Sequence, residues 1–218
     1  MARDREALLA AGTAALGLSL PAGAQEKLLA YLDLMAKWNT VFNLTSRRDT
    51  TDWVQRHLLD SLAVLPYING VRVIDVGSGA GLPGLPLALV NDAIRVVLLD
   101  SNAKKARFMT QAVIELQVTN VEVVAERVEH YRPAELFNCV VSRAFASVAD
   151  LLEASNHLLA PGGKFLALKG EYPSHELARL PAGFVVEAVY GLDVPYLIAE
   201  RHLVVVSRGA EQPTSANT

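Results

Sequence analysis

The sequence holds one cysteine, Cys139, in 218 residues. A single thiol excludes an internal disulfide framework and fits a reducing compartment. No apolar run approaches the roughly 18 residues that a membrane helix needs, and no membrane partner is expected. Charge of one sign is also lacking: 20 basic residues stand against 23 acidic ones, for a net charge of −3. A strong nonspecific nucleic-acid binder is normally basic overall. Any nucleic-acid partner must therefore be met through a local basic face. The histidines His57, His130, His157, His175 and His202 have neither i,i+4 pairing nor cysteine partners, so no metal site is expected. The Asn/Asp-Pro-Pro-aromatic tetrad of amino-group methylation is missing, and so is any internal repeat. Ala22-Gly23-Ala24 imitates an export cleavage site, but Arg3-Asp4-Arg5-Glu6 carries no net positive charge and Gly12 and Gly17 interrupt the apolar run. Export is not expected.

What the chain does have is centred on residues 71–84. Val71-Arg72-Val73-Ile74-Asp75-Val76 is a short β-branched run, followed by Gly77, Gly79, Gly81 and Gly84. This pattern predicts a buried parallel strand, a tight turn and the opening of a helix. A second apolar run over 94–99 ends at Asp100, about 20 residues past the glycines, the usual place of an acid that holds ribose hydroxyls. A nucleoside cofactor follows. Two classes remain open at this point. A dinucleotide would seat its pyrophosphate on the helix N-terminus. S-adenosylmethionine carries a cationic sulfonium, which Asp75 suits better than it suits pyrophosphate; the plainer reading of Asp75 is a turn cap.

Strands are expected at 71–76, 94–99, 121–124, 138–142 and 164–169, with helices at 82–90, 102–117, 127–132 and 146–159. The alternation is that of an α/β fold with a doubly wound, mostly parallel sheet. Two further β-like runs, 184–189 and 202–207, lack a long helix between them and predict an antiparallel hairpin at the C-terminal sheet edge. A plain dinucleotide fold would continue with parallel units, so the hairpin favours the methyltransferase sheet. Before the sheet come helices at 4–17, at a stretch holding Leu28, Leu29, Leu32, Met35 and Ala36, and at a third beginning near 49–51 and ending before Pro66. The expected organisation is an N-terminal helical extension over 1–68 packed on the sheet, a cofactor-binding domain over 69–208, and a disordered tail over 209–218.

Several residues sit where chemistry is done in such folds. Arg143 follows the fourth strand, at the strand end that lines the ligand crevice. Lys169-Gly170 follows the fifth, and Arg201-His202 precedes the last. Arg56-His57 forms an exposed pair on the third helix. With Lys104, Lys105 and Arg107 these bases supply a phosphate-binding rim. Val128-Glu129, after the third strand, border the position of an adenine. Cys139, mid-strand among apolar neighbours, reads as an inert core thiol rather than a nucleophile.

Lys37-Trp38-Asn39, Asn43-Leu44-Thr45-Ser46, Arg56-His57-Leu58-Leu59-Asp60-Ser61, the 75–84 glycine motif, Ser142-Arg143-Ala144-Phe145, Ala167-Leu168-Lys169-Gly170 and Glu200-Arg201-His202 together resemble the bacterial ribosomal RNA small-subunit methyltransferase G family. The likeness runs over roughly residues 8–208, and it departs from the family pattern at Asn138 and at Asn102-Ala103. It implies the class I S-adenosylmethionine-dependent methyltransferase fold and a cytoplasmic enzyme, expected as a monomer, that methylates N7 of a guanine in 16S ribosomal RNA of the small ribosomal subunit. It implies cofactor contacts at Gly77, Leu82, Val128, Glu129 and Arg143, to which the glycine turn adds Gly79 and the strand tip adds Asp100. Substrate RNA contacts are expected at Arg56, His57, Arg143, Lys169 and Arg201. No catalytic base is expected, because guanine N7 has a free lone pair and no proton to lose. Two rivals from other classes are an NAD(P)-dependent oxidoreductase and a non-enzymatic ribosome-binding module.

Overall fold

The computed structural model describes residues 2–45, 50–143 and 145–209. Ser46 and Asp49, Ala144, and the expected tail beyond Gly209 lie outside the described residues. The sheet has seven strands, β1 (Arg72–Val76), β2 (Arg95–Leu99), β3 (Val121–Val124), β4 (Phe137–Ser142), β5 (Leu159–Lys169), β6 (Phe184–Gly191) and β7 (His202–Arg208). Their order is β3-β2-β1-β4-β5-β7-β6. The first five run parallel, and β7 pairs antiparallel with both β5 and β6.

β1 lies between β2 and β4, which pair both its edges, while hydrophobic cores cover both its faces, and it is built from the β-branched run that this position favours. Side chains alternate across it. Val73 joins the core formed with helices α1 (Ala2–Ala15), α2 (Ala24–Phe42), α4 (Gly84–Val90) and α5 (Ala103–Glu115); Ile74 and Val76 join the opposite core, under α6 (Val148–Ser155). Leu28, Leu32 and Met35 of α2 are fully buried in the first core, so the N-terminal helices pack on the sheet face that also carries α4 and α5.

Several expected boundaries move. The third helix is a π-helical turn over Val54–Leu59 followed by one short turn, α3 (Asp60–Leu62). The helix expected at 82–90 begins at Gly84, and that expected at 102–117 spans 103–115 because the Asn102 side chain caps it, accepting from the Lys104 and Lys105 N–H groups at 3.0 and 3.4 Å. No helix forms over 127–132; its place is taken by a turn closed by His130 N–H and Tyr131 N–H on the Arg127 carbonyl. The helix expected at 146–159 ends at Ser155, and a short 3₁₀ turn (Asn156–Leu158) delivers the chain into β5, which starts at Leu159 rather than at 164. A short helix, α7 (Ser174–Leu177), follows β5.

Gly84 shows how tightly the glycine turn is packed. A Cβ there would stand 2.5 Å from Leu98 Cδ2 and 2.9 Å from both Cβ and Oδ2 of Asp75. Gly84→Ala is expected to destabilise by about 1–3 kcal/mol through overpacking, read as a lower denaturation midpoint with an unchanged m-value. A variant as stable as the parent would contradict this packing.

Candidate active site

The turn after β1 is fixed by the next strand. Gly77 and Ser78 donate their N–H groups to the Leu99 carbonyl at 2.8 and 3.1 Å, and Gly79 donates to Asp100 Oδ2 at 2.8 Å. Gly77 and Gly79 have φ of 72° and 63°, a region that side chains rarely adopt. From the other side the buried Tyr31 hydroxyl of α2 donates to the Ala80 carbonyl at 2.7 Å. Burial raises the Tyr31 phenol well above its ordinary value, so it stays a neutral donor.

Beside this turn lies a cavity of about 240 Å³, lined among others by Gly77, Asp100, Lys105, Val128, Glu129 and Phe145. Gly77, Asp100, Val128 and Glu129, all expected to touch a cofactor, are therefore brought together. Gly79 adjoins them through its bond to Asp100. Leu82 is not among the lining residues: it is buried in the core shared with α4. Arg143 lies outside this cavity, in the next one. Asp75 departs furthest from the cation-seating role. It is fully buried, and its Oδ2 accepts the Gly84 N–H at 2.8 Å, so it caps the opening of α4. Burial above all pushes its carboxyl up to about 7, against the Gly84 hydrogen bond and the charge of Arg143, with Asp100 adding to the rise.

The second cavity, of about 350 Å³, gathers Arg56, His57, Asp60, Arg143, Lys169 and Arg201. All five residues expected to meet RNA thus share one wall, although they come from the third helical segment, β4, β5 and the approach to β7. The residue that joins them was not anticipated as a site residue. Asp60 is buried, and accepts from Arg201 Nε on Oδ1 at 2.8 Å and from Arg143 Nη1 on Oδ2 at 3.3 Å. Lys169 Nζ is held by Glu176 Oε2 at 2.8 Å and by the Ala146 carbonyl at 3.2 Å. The expected exposed Arg56-His57 pair needs correction. His57 is buried, with its ring edge-on to Trp53 at 5.1 Å, and Arg56 is partly buried and paired with Asp52. The π-helical turn rotates these side chains inward. Of the other bases, Lys105 turns to Asp100 at 3.9 Å while Lys104 and Arg107 stay exposed.

A third cavity, of about 510 Å³, adjoins both. It shares Phe145 with the first and Arg143, Lys169 and Gly170 with the second.

A family model described as rRNA small subunit methyltransferase G matches residues 24–204. The chain belongs to the rRNA small subunit methyltransferase G family. Among its relatives in that family, the ribosomal RNA small subunit methyltransferase G of Nitrosospira multiformis is 50% identical over 210 residues, covering 93% of this chain and 97% of the relative. That of Aromatoleum aromaticum is 52% identical over 207 residues, covering 93% and 98%. Solved structures are more distant. An S-adenosylmethionine-dependent methyltransferase from Aquifex aeolicus aligns with a TM-score of 0.55 at 20% identity, covering 72% of this chain and 92% of that one. Another from Thiobacillus denitrificans, in complex with S-adenosyl-L-homocysteine, aligns at 0.53 and 13%, covering 81% and 98%. These likenesses show that this methyltransferase G chain has the class I S-adenosylmethionine-dependent methyltransferase fold, with its antiparallel edge strands.

The residues present fit such a cofactor. Two Asp100 lone pairs are taken by the Gly79 and Asn102 N–H groups at 2.8 Å each. A carboxylate has about four acceptor sites, so two remain for a pair of ribose hydroxyls. Val76, Leu99, Val128 and Phe145 supply apolar walls for a purine. No group of three or more metal-ligating side chains occurs among the described residues, and no described helix is long and apolar enough to cross a membrane.

Cys139 lies fully buried in β4, and burial pushes its thiol up to about 12. A thiol held protonated at neutral pH is a poor nucleophile. Cys139→Ala is expected to keep methyl transfer within about twofold of the parent, with only the modest stability loss of a small core cavity. A folded but inactive variant would overturn the inert assignment.

Proposed function

We propose that the chain transfers the methyl group of S-adenosylmethionine to N7 of a guanine in 16S ribosomal RNA of the small ribosomal subunit, in the cytoplasm. The methyltransferase domain is read as residues 69–208 and the helices through Ile68 as its extension. Family membership supports the reaction class. The observation that supports the residue-level reading is the intervening cavity, which shares Phe145 with the nucleoside-fitting cavity and Arg143 with the basic one.

Gly77, Gly79, Asp100, Val128 and Glu129 bind the cofactor in this reading, with Leu82 supporting the turn from beneath. Arg143, Lys169 and Arg201 hold the RNA backbone, and Arg56 and His57 shape the wall behind them. Bound S-adenosylmethionine supplies an electrophilic methyl on a sulfonium sulfur. Guanine N7 would give its lone pair to that carbon as the C–S pair returned to sulfur, so the positive charge would pass to the base. No proton is lost from N7, so the chain need not supply a base. Its contribution is alignment, which is worth orders of magnitude in rate when both partners are held at attack distance. The Asp60 carboxylate fixes Arg143 and Arg201 before substrate arrives, so their ordering is not charged against binding.

The test is transfer of tritiated methyl from S-adenosylmethionine to small subunits isolated from cells lacking this methylation, followed by mapping of the base. Label at N7 of one guanine is expected. Label on another atom or base overturns the N7 assignment, and no incorporation overturns the activity.

A further inference from the structure

We infer that Glu176 is a positioning residue: through the start of α6 and through Lys169 it holds the loop from β4 to α6, so that Phe145 stands in the wall of the cofactor cavity. The inference rests on the cofactor placement proposed above. One carboxylate oxygen acts at two points. Glu176 Oε2 accepts the Val148 N–H, the first of α6, at 2.6 Å and Lys169 Nζ at 2.8 Å. Lys169 Nζ in turn donates to the Ala146 and Phe145 carbonyls at 3.2 and 3.4 Å. Residues 145, 146 and 148 are thereby gripped from the end of β5 and from α7, 23 to 28 residues further along the chain.

Both halves of this clasp have a fixed base. Leu177 packs on the core under α6, and the Glu176 and Leu177 N–H groups both donate to the Pro173 carbonyl at 3.0 Å, so α7 presents the glutamate from a closed turn. On the other side the Ser147 hydroxyl accepts the Asp150 N–H at 3.0 Å. Glu176 takes the Val148 N–H and sets a negative charge where the helix dipole favours one. The Lys169 side chain is only 12% exposed, so its charge needs a partner, which Glu176 supplies. The three donors of its ammonium have three inward acceptors, and toward the basic cavity it offers its charge. The loop has little else to fix its path. Among the described residues, neither Phe145 nor Ala146 enters a backbone–backbone hydrogen bond. The Phe145 ring lies at the margin of the core under α6 and lines both the cofactor cavity and the adjoining one. Glu176 does not line the cofactor cavity, so any effect it has there passes through the loop.

The experiment titrates S-adenosylhomocysteine into the full chain by calorimetry, well below the unfolding temperature, beside urea unfolding of the same proteins. Phe145→Ala is expected to weaken binding on the order of tenfold, the loss of one aromatic contact. Glu176→Ala should weaken it by about fivefold, because a wall residue left without its support no longer holds its place. The double variant should bind no more weakly than Phe145→Ala alone, since the glutamate acts through that ring. Glu176→Gln keeps an acceptor oxygen for the Val148 N–H and loses only the charge of the pair, so its loss should be smaller, about twofold. A role confined to stability would lower the urea midpoint of Glu176→Ala and leave its affinity parental. That result, losses that multiply in the double variant, or equal weakening in Glu176→Gln and Glu176→Ala overturns the clasp while the cofactor site stands. Should Glu176→Ala fail to fold, Glu176→Gln carries the test: parental affinity, or a loss that persists beside Phe145→Ala, overturns the clasp. Phe145→Ala binding as tightly as the parent overturns the placement of the cofactor itself, and the clasp with it.

Discussion

Asp60→Ala is expected to lower kcat/KM for small-subunit methylation by about 100-fold or more, the scale of a misplaced binding group, with a stability loss on the order of 2–4 kcal/mol. The Asp60 carboxylate is buried, while Arg143 and Arg201 keep partial access to water. Removing the acid leaves two guanidiniums side by side with no shared counterion, and they separate into solvent. The fold survives that change better than a deeply buried pair would, because neither arginine is fully desolvated. The site does not survive it, because both arginines lose their bearing at once. Arg143→Ala is the converse case. Asp60 keeps Arg201 as its partner, so stability falls less, while methylation falls as far as in Asp60→Ala. The three side chains act as one unit, so the double variant Asp60→Ala/Arg143→Ala should be far less impaired than the product of the single effects. Steady-state kinetics with subunits, beside urea unfolding of the same four proteins, checks this. Additive kinetic losses would dissolve the network into independent contacts.

That network explains where sequence reasoning stopped. The β-branched run of β1, the glycines after it and the acid ending β2 are local patterns, and they located the turn, the cavity beside it and the role open to Asp100. The absence of a crossover helix between β6 and β7 likewise disclosed the antiparallel edge. Asp60 gave no such signal. Its partners are 83 and 141 residues away, and a contact between distant segments leaves no period in either. A regular helix would expose His57; Val54–Leu59 is instead a π-helical turn, in which His57 is buried, and such a turn has no composition of its own. The Tyr31 hydroxyl on the Ala80 carbonyl was hidden for the same reason as Asp60, since α2 looked like an ordinary amphipathic helix. Asp75 was visible as a residue, but its direction was not. Strand alternation puts it on the same face as Val73, under Gly84, and only the packing of α4 shows that it points there.

The position of Asp75 carries the second large effect. Its carboxyl is pushed up to about 7 from an ordinary 3.8, chiefly by burial. Between those two values the unfolded chain has already lost the proton that the folded chain keeps. The folded state then binds more protons than the unfolded one, so stability falls as pH rises. The contribution is fully present below about pH 4 and is exhausted once pH passes 7. At roughly 1.4 kcal/mol per unit, the window accounts for about 4 kcal/mol. Asp75→Asn keeps the shape and an acceptor for the Gly84 N–H but cannot titrate. The variant carries a fixed offset from its amide hydrogens, which find no ready partner where Asp75 Oδ1 has none among the described residues. The pH dependence of the difference is independent of that offset. Relative to the parent, Asp75→Asn should gain stability steadily from pH 4 to 7, by several kcal/mol in all, and the difference should level off above 7. Urea unfolding at unit pH intervals from 4 to 9 measures it. Two curves that run parallel throughout would mean that Asp75 ionises at its ordinary value in the folded protein. The carboxylate would then be charged beneath the glycine turn at every working pH, as the sequence first suggested for a residue facing a cationic donor.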